Sequence, residues 1–391
     1  MLSRRLFLQG ASALGCSAAA HPLLSTVTFA AAPGDNRLVV IVLRGAMDGL
    51  HVLQPYGDPL LARLRPGLKT GPGSGAHDLD GFYALNPALG DLLPLWRAGQ
   101  LGFAQAVSTP YRDKRSHFDG QDILEAGTGG DLPPAARRDG WLNRLVGVLP
   151  DATSQTAFSV GIADMPILAG AAPHGSWAPE ADLTLSPQAA LLLEQVYADD
   201  PLFRAAAAEA VALDAMGSGG GAAHGTAAAA ALGAFTAERL RAETRIAAFS
   251  LNGWDTHKGQ EAMLARALAS LQAAILAIRE NAGQDVWDRT LILAMTEFGR
   301  TARENGTAGT DHGTGGTLIM AGGALNGGRV YGRWPGLRDS DLYEGRDLMP
   351  LEDVRAYAGW AMRGLFGLGT EAVTQAVFPG LDLGRDPGIL T

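Results

Sequence analysis

With 391 residues, 47% of them hydrophobic and only 18% charged, the chain carries enough apolar material for one large core or two modest ones. A net charge of −9 argues against nucleic acid as its natural partner. Its single cysteine, Cys16, excludes an intramolecular disulfide, so stability must come from packing or a bound ion.

The first element is a leader. Ser3-Arg4-Arg5-Leu6-Phe7-Leu8 places two arginines before an apolar, small-residue stretch reaching about Ala20. Ala30-Ala31-Ala32 before Pro33 then supplies a small-residue cleavage site. Residues 1–32 are therefore expected to be a twin-arginine signal peptide, read by the twin-arginine export machinery and removed on the way to the periplasm or the exterior. The remainder, 33–391, is expected to form a single domain. No later apolar run reads as long enough to span a bilayer, so no transmembrane helix is expected in the mature chain.

Leu38 to Leu43 is a continuous, largely β-branched run, the pattern of a strand buried on both faces. Leu101 to Val107, Arg245 to Ser250, Leu291 to Met295 and Thr317 to Ala321 read the same way. Met216 to Ala231 is a Gly/Ala-rich stretch expected to be a loop before a helix near Ala234 to Glu243. From Gln260 to Glu280 the residues Met263, Leu264, Leu268, Leu271, Ile275 and Ile278 recur at helical spacing, and Leu351 to Phe366 is a late amphipathic helix. Strands alternating with helices imply an α/β, doubly wound, mainly parallel sheet covered on both faces.

Ligands of such sheets bind beyond the carboxyl ends of the strands, and here those ends are polar. Arg44 to Gly49, with Asp48, follows the first strand; Tyr111 to Asp122, with Arg115 and Ser116, follows the second. Asp255 and His257 follow the strand ending at Phe249, Glu297 and Arg300 follow Met295, and Asp311 and His312 precede Thr317. A mixed Asp/Glu/His set suits a divalent metal, with zinc or manganese favoured over calcium, which wants oxygen alone. Two such metals could clamp an oxyanion. The basic residues before Ser116, at an expected helix N-terminus, could hold an anion with Ser116 as attacking hydroxyl, although Ser116 could equally just cap the helix. His117, Asp119 and Asp122 either join the site or pack and cap the helix, and packing is the role expected. No G-x-S-x-G elbow, H-E-x-x-H, P-loop or G-x-G-x-x-G motif is present.

The joint pattern of the Arg-Arg leader, Leu43-Arg44-Gly45-Ala46-Met47-Asp48-Gly49-Leu50, Ser116-His117-Phe118-Asp119, Trp254-Asp255-Thr256-His257, Thr296-Glu297-Phe298-Gly299-Arg300 and Asp311-His312-Gly313 resembles the family catalogued as domain of unknown function 1501. That family is similar to the alkaline phosphatase and sulfatase superfamily. The resemblance implies that Asp255, His257 and His312 serve one metal and Asp48 and Glu297 another. It also implies Asp311 as an extra ligand or as the residue orienting His312, and Ser116 as nucleophile. Glu297-Phe298 stands where an Asp-His pair is expected, which leaves one metal short of a nitrogen. The function expected is an exported metal-dependent hydrolase of phosphate or sulfate esters, acting on a small anionic ester, with Arg115, Arg44 or Arg300 stabilising the oxyanion. The alternative is a non-catalytic exported binding or assembly protein that keeps the fold and a partial metal site.

Overall fold

The computed structural model describes residues 35–112, 114–129, 139–161, 165–177 and 225–391. The leader, with Cys16, and residues 216–224 of the Gly/Ala stretch lie outside the described residues. In chain order the strands of the main sheet are β1 (Arg37–Leu43), β2 (Leu101–Ser108), β3 (Ala157–Val160), β4 (Gly175–Trp177), β5 (Ile246–Leu251), β6 (Thr290–Met295), β7 (Gly316–Ala321), β8 (Val330–Tyr331) and β9 (Glu352–Asp353). The helices that frame the site and the core are α1 (His117–Ala126), α2 (Trp141–Val148), α3 (Thr226–Arg241), α4 (Gln260–Ala282) and α5 (Val354–Phe366).

The strands lie side by side in the order β8-β2-β7-β6-β1-β5-β3-β4, with β9 also on β2. β1 is hydrogen-bonded between β5 and β6, parallel to both, with Val40 opposite Ala248 and Leu293. Only β7 runs against its neighbours, antiparallel to β6 and β2. The sheet is thus the mainly parallel one the strand–helix alternation predicts.

Both faces of β1 are buried, which is why its sequence shows no polar alternation. Leu38, Val40 and Val42 pack with Tyr357, Met362 and Leu365 of α5 and with Trp141 and Leu145 of α2. Val39, Ile41 and Leu43 face the other way, onto Leu264, Leu268, Leu271 and Ile275 of α4. Each such fully buried aliphatic side chain contributes about 1.5–3 kcal/mol.

Two sequence expectations shift at their edges. α3 begins at Thr226 and so takes in residues 226–231 of the stretch expected to be loop, because its alanines are the strongest helix formers. α5 begins at Val354, where the Asp353 carboxylate accepts the Arg355 N–H as an N-cap. α4 also bears on the expectation that nothing spans a membrane: at 23 residues with mean hydropathy 1.5, it is long and apolar enough by length and composition. Its apolar stripe, including Leu264, Leu268 and Ile275, is buried in the core.

The carboxyl ends of β1, β2, β5 and β6, together with the turn entering β7, meet along one rim of the sheet. Every candidate residue lies on these segments.

Candidate metal centre

His117, Asp255 and His312 bring one potential ligand atom each to within 4.8 Å of one another. Asp255 Oδ1 is the focus: His257 Nε2 lies 3.1 Å from it, His312 Nε2 3.3 Å and His117 Nε2 3.6 Å. His257 Nε2 and His312 Nε2 are themselves 2.9 Å apart.

Local structure explains how each side chain arrives. After β5 burial alternates: Trp254 and Thr256 are fully buried, while Asp255 and His257 reach solvent at the rim. The Trp254 indole N–H closes this turn by donating to the Leu251 carbonyl. His312 is held by an antiparallel bridge to Arg300. His117 is the first residue of α1, whose N-cap is Ser116, with the Ser116 Oγ accepting from the Asp119 N–H at 3.5 Å.

Each imidazole is anchored through its other nitrogen. Nδ1 of His117 is 2.7 Å from Glu297 Oε1, that of His257 is 3.1 Å from Asp311 Oδ1, and that of His312 is 2.9 Å from the Arg115 carbonyl. Ionised carboxylates and a carbonyl can only accept, so all three Nδ1 atoms must carry the proton. In the neutral rings the three Nε2 lone pairs then face Asp255 Oδ1, and four acceptors converge with a cation's place between them. Such anchoring of the distal nitrogen is what metal-ligating histidines almost always show. His117 Nε2 is buried and has no hydrogen-bond partner. With three nitrogens and one oxygen, these residues fit a divalent metal. The Asp255 side chain is 49% exposed, which leaves the cluster open to solvent on that side.

The Gly45-Ala46 turn ties the cluster to the sheet. The Gly45 and Ala46 N–H groups donate to Glu297 Oε1, while their carbonyls accept from Arg300. Both residues have positive φ, +124° and 58°, which lets successive N–H groups point at one carboxylate oxygen. A side chain at Gly45 would begin 2.6 Å from the Asp255 nitrogen, so only glycine fits. Arg115 also has positive φ, 52°, a strained conformation for a residue with a side chain, and its carbonyl thereby meets His312.

Charge follows this geometry. The hydrogen bond to Glu297 raises the His117 pKa, whereas burial lowers that of His312. Burial pushes the Asp255 carboxyl up, and the Arg300 guanidinium bonded to it at 2.6 Å more than reverses this, holding it below the usual carboxylate range.

Several expected roles need correction. Asp48, read as a metal ligand, is buried in a bidentate pair with Arg65 at 2.7 and 3.0 Å and also accepts from Gln260, so its oxygens are committed elsewhere. Glu297, read as a ligand, lies behind His117 and touches the cluster only through that ring. Asp311 orients His257, where orientation of His312 or direct ligation was expected. Arg300 is fully buried, with its donors on four carbonyls and Asp255, and so faces protein. Arg44 pairs with Glu125 at 2.7 Å, and Arg115 with Glu344 and Asp347. Asp255, His257 and His312 do come together, and Ser116 stands between Arg115 and His117.

His117 supplies the nitrogen that the motifs lacked. The signal was available, since it sits after a strand like the others, but its place on the helix read as packing. Arg65 and Tyr111 gave no signal. Arg65 neutralises Asp48 from a distant loop, and the Tyr111 hydroxyl accepts the Ser116 N–H at 2.7 Å while its ring stacks on Phe298.

The model of the family described as protein of unknown function (DUF1501) matches residues 182–355, the part carrying Asp255, His257, Glu297, Arg300, Asp311 and His312. No curated protein matches the chain. Similar solved structures include Ps i-CgsB in complex with k-i-k-neocarrahexaose, at 11% identity and TM-score 0.42, covering 87% of this chain and 74% of that one. Another is a protein in the alkaline phosphatase superfamily from Vibrio parahaemolyticus, at 11% identity and TM-score 0.37, covering 85% and 67%. A third is the soluble domain of lipooligosaccharide phosphoethanolamine transferase A from Neisseria meningitidis, at 10% identity and TM-score 0.33, covering 75% and 80%. Over residues 182–355, somewhat under half of its length, the chain is similar to the family described as protein of unknown function (DUF1501).

Proposed function

We propose that this chain is an exported metal-dependent hydrolase of phosphate or sulfate esters whose centre holds a divalent cation on His117, Asp255 and His312, joined by His257. The observation that carries the reading is the convergence of three oriented Nε2 atoms on Asp255 Oδ1, with His257 and His312 only 2.9 Å apart. Zinc or manganese suits this donor set. When bound, such a metal supplies positive charge to polarise an ester oxygen or to acidify a hydroxyl. With Asp48 and Glu297 engaged elsewhere, the reading is of one metal and not two.

Ser116 is the proposed nucleophile. Its hydroxyl sits at the N-terminus of α1, where the first backbone N–H groups and the helix dipole favour an anion. It is flanked by the two residues that orient and supply ligands, Arg115 and His117. Attack by Oγ forms the bond to phosphorus or sulfur as the bond to the ester oxygen breaks, the serine proton passing through solvent to the departing oxygen; water then cleaves the serine ester, releasing the anion and restoring the hydroxyl. The Ser3-Arg4-Arg5 leader supports export, and the small anionic ester as substrate rests on this same reading.

One observation favours the second reading, a non-catalytic exported binding protein: Arg44, Arg115 and Arg300 are each paired with acidic side chains of the protein itself. Elemental analysis of the purified protein, combined with aryl phosphate and aryl sulfate turnover, separates the two. Bound zinc or manganese with turnover abolished in Ser116→Ala and His312→Ala supports the hydrolase. Bound metal without turnover supports the binding protein. Absence of metal, with turnover indifferent to both substitutions, overturns the metal centre.

A further inference from the structure

Glu297 is a carboxylate at 0% exposure to which, among the described residues, no guanidinium or ammonium is hydrogen-bonded. An isolated buried charge is costly, so its surroundings must account for it. Oε1 accepts from the Gly45 N–H at 2.9 Å, the Ala46 N–H at 3.1 Å, the His117 Nδ1–H at 2.7 Å and the Gln121 amide at 3.3 Å. The Thr296 hydroxyl lies 3.0 Å from Oε2. Four donors on Oε1 hold that oxygen against the imidazole.

We infer that Glu297 is a positioning residue which locks His117 in the tautomer protonated at Nδ1, so that its bare Nε2 is presented to Asp255 and His312. The opposite tautomer would set an Nδ1 lone pair against Oε1 at 2.7 Å, two acceptors in contact. Stacking of the His117 ring on Phe298, 5.4 Å between centroids, fixes its plane but leaves the choice of tautomer to Glu297. The inference rests on the metal reading only for the use made of Nε2. Glu297→Leu removes the acceptor that the Nδ1–H requires, which admits the other tautomer; glutamine would not, because its carbonyl oxygen would keep the Oε1 place facing the Gly45 and Ala46 N–H groups.

The test uses the full chain, selectively labelled with 15N-histidine, stripped with chelator and examined at about pH 9, where the rings are neutral. Proton–nitrogen correlation spectra should show His117 protonated at Nδ1 in the unsubstituted protein and a mixture in Glu297→Leu. Competition with a chromophoric chelator should show zinc affinity reduced by about 10–100-fold in that variant. An Nε2-protonated His117 in the unsubstituted protein overturns the inference, and this measurement stands even if Glu297→Leu fails to fold. So does a folded variant with tautomer and zinc affinity unchanged. Nδ1 protonation in a protein that takes up no zinc upholds the role of Glu297 and removes the metal reading instead.

Discussion

Replacing Asp48 by asparagine removes one charge from a pair that water does not reach. The Arg65 side chain is 0% exposed and that of Asp48 1%, and their two hydrogen bonds measure 2.7 and 3.0 Å. Breaking a buried pair from one side strands the other charge, at a cost of about 3–5 kcal/mol. Asparagine keeps one acceptor for the guanidinium, so about 3 kcal/mol is expected, a large part of a stability of about 5–15 kcal/mol. Urea denaturation of metal-free protein, followed by circular dichroism, should show a lowered midpoint at unchanged slope. The sign of the pH dependence is fixed by the same pair. Burial pushes the Asp48 carboxyl up, Arg65 more than offsets this, and the folded-state value falls below the unfolded one. Its contribution is therefore complete above about pH 4 and lost as pH falls through the lower folded value, so Asp48→Asn should flatten the acid limb. A variant within about 1 kcal/mol of the parent, but impaired in zinc binding, would refute the strut and restore Asp48 as a ligand.

Gly45→Ala combines a φ of +124° with a Cβ 2.6 Å from the Asp255 nitrogen. It should cost about 2 kcal/mol or more in thermal melting and lower the metal content per chain. Zinc at a hundredfold excess over its Kd should stabilise the protein by about 2.7 kcal/mol, read from the urea midpoint. His312→Ala should abolish that gain, and equal midpoints with and without zinc in the parent would count against a cation site. Phe118→Ser, at a position 85% exposed, should leave stability within about 0.5 kcal/mol; a larger loss would mean that the ring packs against something.

The long apolar runs announced the strands that matter most. β1, β2, β5, β6 and β7 are almost wholly buried on both faces, and a chain shows this by runs poor in polar residues, broken here only by such residues as Gln105 in β2 and Ser250 in β5. β3 and β4 escaped because four and three residues carry no period. The rim was legible for a related reason: charged residues are scarce, so those left at strand ends stood out. Residue type alone did not say which of them touch. Asp48 and Glu297 have the chemistry of ligands, yet one faces a guanidinium from residue 65 and the other the back of an imidazole. His117, expected to pack, stands with the cluster instead of apart from it, because the first turn of a helix serves a cap and a ligand equally well. Partners set the role, and partners far apart in sequence leave no local trace.

The position of β1 between β5 and β6 has a consequence for synthesis. Val39 pairs with Ala247 and Ile292, so at about 5–20 residues per second roughly 12–50 s separate the emergence of the strand from that of its second neighbour. Until β5 emerges, which takes up most of that interval, Leu38 to Leu43, six apolar residues without proline or charge, has neither neighbouring strand to pair with. Such a segment is the kind that pairs with another chain if left bare. Shielding it on the ribosome, and not the assembly of the rim, is then the step on which yield of the folded protein depends.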